Sequence, residues 1–203
     1  MTGAREIPLA GLADALAGPG WAVLPDFLDG ASWRALAALA RARDTAGEFR
    51  PAAVGAGAAR AVRAQVRSDR ILWVYAPAPG VEQALYVRLE ALRLGLNAAL
   101  MLGLLDVECH YAIYGARARY VRHLDRSPAG AERVVSLVLY LNEGWGAQDG
   151  GVLRLFAGDS AHEIVPAGGT LALFLSERFE HEVLPARRDR LSLTGWFRRR
   201  GRV

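Results

Sequence analysis

From Val81 onward, leucines recur at three- and four-residue intervals, at Leu85, Leu89, Leu92, Leu96 and Leu100, which places them on one face of a long helix. Such a face is suited to covering a sheet. Asn97 and Gly103 weaken its far end, and beyond Asp106 the period changes. Short runs rich in β-branched and aromatic residues are there separated by Gly, Pro, Asp and Asn: Val107 to Tyr114, Arg133 to Leu141, Val152 to Phe156, Glu163 to Val165, Thr170 to Leu175, Glu180 to Leu184 and Arg190 to Phe197. Seven or eight short strands with no helical pattern between them predict a sandwich or jelly roll. Upstream, Asp29 and Gly30 precede a Trp/Leu/Ala-rich run, Ser32 to Ala42, that reads as a helix, and Trp21 to Leu24 has strand-like apolar content before Pro25. The Ala- and Gly-rich stretch Pro51 to Ala64 reads as an exposed loop. The expected architecture is mainly β with N-terminal helices: a helix-rich supporting part over residues 1–105 and a β core over 106–198, in one domain.

Composition narrows the class without changing the fold. At 203 residues, 52% hydrophobic and 23% charged, the chain matches an ordinary globular domain and neither a disordered nor a fibrous one. Its apolar runs, such as Val134 to Leu141, fall far short of the roughly 20 residues a membrane span needs, and MTGAREIPLA lacks a basic segment followed by an apolar one. A cytoplasmic protein with no membrane partner is expected. Cys109 is the only cysteine, which excludes an internal disulfide and any zinc site built from several thiolates. A bound metal must therefore use His and carboxylate. All 25 basic residues are arginine, so Schiff-base chemistry and lysine-dependent phosphate loops are excluded and anion recognition falls to Arg. Seven arginines between Arg187 and Arg202, with a pI near 9.7, would attract polyanions, but no aromatic ladder interleaves them. They read as a solvated tail, and nucleic acid is not an expected partner.

The candidate chemistry lies in the β half. Residues two apart on an extended segment project to one side, so His123 and Asp125 in YVRHLDR can present an imidazole and a carboxylate to one point. An isolated H-x-D means little by itself. His181, on the strand FEHEVLP, supplies a third group that a jelly roll can bring to the same mouth. Two His and one carboxylate leave three coordination positions open, which suits non-haem iron(II) and oxygen chemistry. Arg190 sits on a strand with Leu191, Leu193 and Trp196, so it reads as buried, and a buried Arg is rarely unpaired. Thr194 shares its strand face. Tyr140 in VVSLVLYLN reads equally as core aromatic or hydrogen-bonding group. His110, between Cys109 and Tyr111, reads as a satisfied core residue, and His162, after the turn GDSA, as solvent-exposed. Gly150 and Gly151 have no helical pattern after them and read as a hairpin rather than a phosphate loop. Arg67, Asp69 and Trp73 in RSDRILW shape either an entrance or a capped strand with a buried Trp.

YVRHLD, YLNEGW, DGG-L-R-L, FLSERFEHEVLP and RLSLTGWF occur in an order that resembles the 2-oxoglutarate-dependent prolyl hydroxylases, both the oxygen-sensing animal enzymes and their small bacterial relatives. The likeness runs from about Arg67 to Phe197. It implies a double-stranded β-helix (jelly-roll) core flanked by helices. It implies that iron(II) is held by His123, Asp125 and His181, and that Arg190, with Thr194 and Tyr140, binds the far carboxylate of 2-oxoglutarate. Dioxygen is the other cosubstrate and ascorbate an optional accessory. The implied activity is a dioxygenase that hydroxylates a prolyl residue in a protein or peptide, forming succinate and CO2. The alternatives are an oxygenase acting on a free amino acid or other small molecule and a noncatalytic jelly-roll binding module. YGARARY, Tyr114 to Tyr120, departs from the Pro/Gly-rich form usual in the bacterial relatives. DNA-repair oxygenases carry a second arginine where this chain has Trp196. The sequence specifies no oligomeric state.

Overall fold

The computed structural model describes residues 6–55, 61–125 and 131–201. Among the described residues the three α-helices come from the first half of the chain: α1 (Leu9–Ala17), α2 (Gly30–Thr45) and α3 (Val81–Leu100). The side chain of Asp29 accepts the Ser32 N–H at 2.8 Å, which satisfies one of the orphan amides that open α2. On α3 the predicted leucine face is buried at Leu85, Leu89, Leu92 and Leu96. The helix stops at Met101, which turns left-handed, and Asn97 bonds both the N–H and the C=O of Leu104, each at 2.8 Å.

The strands are β1 (Trp21–Leu24), β2 (Arg50–Pro51), β3 (Arg70–Val74), β4 (Asp106–Tyr114), β5 (Tyr120–His123), β6 (Ala131–Tyr140), β7 (Leu153–Ala157), β8 (Ser160–Ile164), β9 (Leu171–Leu175), β10 (Glu180–Val183) and β11 (Arg190–Arg200). They form two antiparallel sheets, ordered β1-β9-β6-β11-β4-β3-β2 and β5-β10-β7-β8. The pleat of the larger sheet sorts side chains between its two faces. Leu191, Leu193 and Phe197 of β11 join Cys109, Tyr111 and Ile113 of β4 and the α3 leucines in a core on the helix side. The alternate positions, among them Ala112, Tyr114, Val138, Tyr140 and Phe174, meet Leu153, Leu155 and Val183 of the smaller sheet. The predicted jelly roll flanked by helices is therefore the observed fold, and the space between its sheets holds the chemistry.

Several boundaries differ from expectation. The predicted strand Glu163 to Val165 is instead Ser160–Ile164, because Ala157 pairs with Ser160 and Gly158, at φ +60°, turns the hairpin tightly. Helix α1 buries Leu12, Ala13 and Leu16 but has no side-chain cap at Pro8, so it carries little start signal. Pro51 to Ala64 is less exposed than a loop reading implies: Arg50–Pro51 pairs with β3, Ala52 is buried and Val54 bridges Ala61, while residues 56–60 lie outside the described residues. The arginine tail is structured as far as Arg200. β11 runs to Arg200, with Arg198 paired to Asp106 and Glu108 and Arg199 to Glu132. Among the described residues no helix is long and apolar enough to cross a membrane.

Candidate active site

His123 ends β5 and His181 lies on β10, and the antiparallel register sets the two residues directly opposite each other. Their ring centroids are 4.2 Å apart. Asp125 follows two residues after His123, its carboxylate 3.8 Å from Nε2 of His123 and 3.6 Å from Nε2 of His181. One potential ligand atom from each of the three falls within 4.8 Å of the others. Backbone carbonyls fix the tautomers. Nδ1 of His123 lies 2.8 Å from the Val121 carbonyl and Nδ1 of His181 lies 3.2 Å from that of Phe179. A carbonyl only accepts, so Nδ1 carries a proton in each ring, and in the neutral form Nε2 is the nitrogen left with a lone pair.

The protonation states agree with that arrangement. Burial, with His181 alongside, depresses His123 to about 3, so its imidazole is neutral near pH 7. Burial opposes ionisation of Asp125, but His181, His123 and the Ser136 hydroxyl outweigh it and hold the carboxyl below its ordinary range. Ser136 donates to Asp125 Oδ2 at 2.7 Å and contacts the Ser176 hydroxyl at 2.9 Å, both serines being buried. With both rings as neutral imidazoles and Asp125 as a carboxylate, three acceptors would converge on one point. That set repels itself unless a cation sits at its centre, and two imidazoles with one carboxylate are the donors a first-row divalent metal takes.

Arg190 begins β11, next to Tyr114 in the β4–β11 register. It is only 1% exposed. Nε donates to the Gly151 carbonyl at 2.8 Å, and the guanidinium carbon lies 5.2 Å and 5.1 Å from the Tyr114 and Tyr140 rings. Gly151 is left-handed, at φ +68°, and a Cβ there would meet Arg190 Cδ at 3.2 Å and Ala186 Cβ at 2.9 Å, so this approach requires glycine. The Gly150–Gly151 pair links the short turn Ala147–Asp149 to β7 and bridges to Ala186, rather than forming the expected hairpin. Among the described residues no carboxylate pairs with Arg190, its Nη2 has no hydrogen-bond partner, and neither has the Tyr140 hydroxyl. Burial pushes that hydroxyl up to about 12, so it remains a neutral donor. A buried permanent cation with two unused donors beside it lacks an anion.

His123, Asp125, His181, Arg190 and Thr194 all line one cavity of about 810 Å³, within the range of small-molecule sites. Tyr140 packs against Arg190 just behind that wall. The structure adds residues to the site that the sequence pattern marks weakly or not at all. Ser136 is a polar residue at an inward position of a buried strand, which was a usable signal. Tyr120 stacks on His123 with centroids 3.5 Å apart, and Arg67 lies over Tyr120 while pairing with buried Asp69 at 2.7 Å. Arg67 and Trp73 both line the cavity, so RSDRILW is an entrance and a strand at once. Val54 lines it as well. His110 is buried, as expected, but it is not satisfied, because its Nδ1 has no partner. His162 is half-buried against Trp21, at 4.7 Å, rather than exposed.

The model of the 2OG-Fe(II) oxygenase superfamily matches residues 109–198. A Pseudomonas putida prolyl-4-hydroxylase is 46% identical and superposes with a TM-score of 0.86, over 95% of this chain and 100% of that one. The chain belongs to the 2OG-Fe(II) oxygenase family. A prolyl hydroxylase from Trichoplax adhaerens, in complex with a hypoxia inducible factor oxygen degradation domain peptide fragment, is 26% identical with a TM-score of 0.83, over 93% of this chain and 88% of that one. Egl nine homolog 1 of Homo sapiens is 34% identical over 141 residues, 65% of this chain. The chain spans 33% of that human protein's length. Iron(II), 2-oxoglutarate and dioxygen are the groups the family implies, and the convergent acceptors and the unpaired cation fit the first two.

Proposed function

We propose that this oxygenase hydroxylates a prolyl residue in a protein or peptide, with His123, Asp125 and His181 holding iron(II) and Arg190, Thr194 and Tyr140 receiving the far carboxylate of 2-oxoglutarate. The observation that carries this reading is the cavity itself, where two imidazoles and a carboxylate converge and a buried arginine without a counterion among the described residues shares the same wall. The 46% identity to a bacterial prolyl-4-hydroxylase and the likeness to an animal enzyme bound to a peptide support a prolyl peptide over a free metabolite.

When bound, iron(II) with 2-oxoglutarate and dioxygen supplies the oxidation: 2-oxoglutarate becomes succinate and CO2, and the second oxygen atom enters a substrate C–H bond. The chain's own contribution is positioning and exclusion of water. The carbonyls of Val121 and Phe179 accept from each Nδ1 and so turn Nε2 toward the metal position, and Ser136 orients the Asp125 carboxylate. Arg190, fixed by Gly151 and flanked by two tyrosines, offers a permanent charge that no lysine in this chain can replace.

The test is mass spectrometry of proline-containing peptides incubated with anaerobically loaded protein and then exposed to air. A gain of one oxygen on proline, absent when 2-oxoglutarate is omitted, is the expected result. Oxygen transfer to free proline with none to peptides would replace this reading with the small-molecule one.

A further inference from the structure

Among the described residues, two residues of the cavity wall outside the acceptor triad and the Arg190 group, His110 and Trp196, carry a buried donor without a partner, and His110 is the one whose other nitrogen is already engaged. His110, on β4, is 1% exposed, its ring lying 4.8 Å from that of Trp73 and 5.5 Å from that of Trp196, and it lines the same cavity. The register explains the grouping, since Trp73 of β3 and Thr194 of β11 are its partners on either side. Nε2 of His110 lies 3.3 Å from an Arg67 amino group. A guanidinium can only donate, so Nε2 accepts and the neutral ring carries its proton on Nδ1. That N–H is buried and has no partner. Arg190 Nη2 and the Tyr140 hydroxyl are in the same condition at their part of the site. Buried donors are nearly always paired, so a leftover one on a residue that lines the cavity is a candidate for a contact completed by substrate.

The chemistry of proline says what that contact is. A prolyl nitrogen carries no hydrogen, so at the target residue the peptide backbone offers a carbonyl acceptor and no N–H. A wall that recognises it must donate. We propose that His110 is a substrate-recognition residue whose Nδ1–H donates to a backbone carbonyl flanking the target proline, with the proline ring against Trp73 and Trp196. This rests on the prolyl hydroxylation reading above and names how that substrate is held.

Asparagine and glutamine separate the two ring nitrogens, because an Asn amide reaches the level of Nδ1 and a Gln amide that of Nε2. Wild type, His110→Asn, His110→Gln, His110→Leu and the distant control His162→Gln are assayed on a degenerate library of short peptides with a central proline, scoring hydroxyproline by mass spectrometry and succinate in parallel. His110→Gln and His110→Leu are expected to raise the apparent KM for peptide about tenfold, with the KM for 2-oxoglutarate unmoved, while His110→Asn stays close to wild type. If His110→Leu does not fold, the Asn and Gln variants decide. The reverse order, Gln intact and Asn impaired, would make His110 a brace for Arg67 and overturn the assignment, as would equal KM in every variant. Wild type that hydroxylates the library but ignores His110 defeats only this inference. Wild type that forms succinate yet oxidises no proline defeats the hydroxylation reading and this inference with it.

Discussion

Arg190 joins sequence, packing and the proposed function at a single position. Its burial follows from its place at the start of β11, between strands that turn Leu191 and Leu193 to the helix core, and its charge is left without a carboxylate. Removing the cation from a desolvated carboxylate costs several kcal/mol, so Arg190→Ala should weaken 2-oxoglutarate binding by about two orders of magnitude or more. Arg190→Lys should recover part of that, because an ammonium cannot make the paired contacts of a guanidinium. The exposed Arg187→Ala should bind as wild type does. Calorimetric titration of 2-oxoglutarate into anaerobic, metal-loaded protein checks all three, and unchanged affinity in Arg190→Ala would mean another residue holds the anion. That this arginine and the three residues His123, Asp125 and His181 face one cavity could be anticipated from the sequence, because their spacing fits strand geometry and a known family order. The unpaired Nδ1 of His110 could not be, because it depends on which way the Arg67 side chain turns.

At the level of elements, the β4–β11 pair sets the site's dimensions, since it carries His110 and Tyr114 on one strand and Arg190, Thr194 and Trp196 on the other. Gly195 keeps these strands close. A Cβ there would stand 2.5 Å from the Glu108 carbonyl and 2.6 Å from Cys109 Sγ, and backbone cannot move aside as a flexible side chain can. Gly195→Ala should therefore destabilise by roughly 1–3 kcal/mol through overpacking. For a chain of this size the melting temperature should fall by about 2–4 °C per kcal/mol, measurable by calorimetry. A variant as stable as wild type would show that the sheet adjusts there. The α3 leucine face and seven strand regions were legible because each repeats a simple period. Helix α1 and strand β2 were not, since one lacks a cap signal and the other is a two-residue pairing imposed by β3.

For the whole molecule, the buried histidines link folding to pH. His110 is held well below its ordinary value by burial and by Arg67 and Arg133, and His123 is held at about 3. Each takes up a proton more readily unfolded than folded, so the unfolded state gains as pH falls below about 6.5. The stability of the metal-free protein should be complete above that pH and decline below it, by up to about 1.4 kcal/mol per pH unit for each histidine. Urea unfolding near pH 7.5 and near pH 5.5 measures this, and His110→Asn should flatten the slope. A pH-independent midpoint would mean these rings titrate in the fold as they do in the unfolded chain. The β half and its triad were visible in the sequence, whereas the participation of Val54 in the cavity depended on how the first half of the chain packs against the jelly roll. The central claim is that His123, Asp125 and His181 form one metal centre, and equilibrium dialysis against iron(II) under anaerobic conditions tests it most directly. Wild type should bind one ion per chain, and His123→Ala, Asp125→Ala and His181→Ala should each lose it while Arg190→Ala retains it. Iron bound as tightly by the triad variants as by wild type would contradict the account.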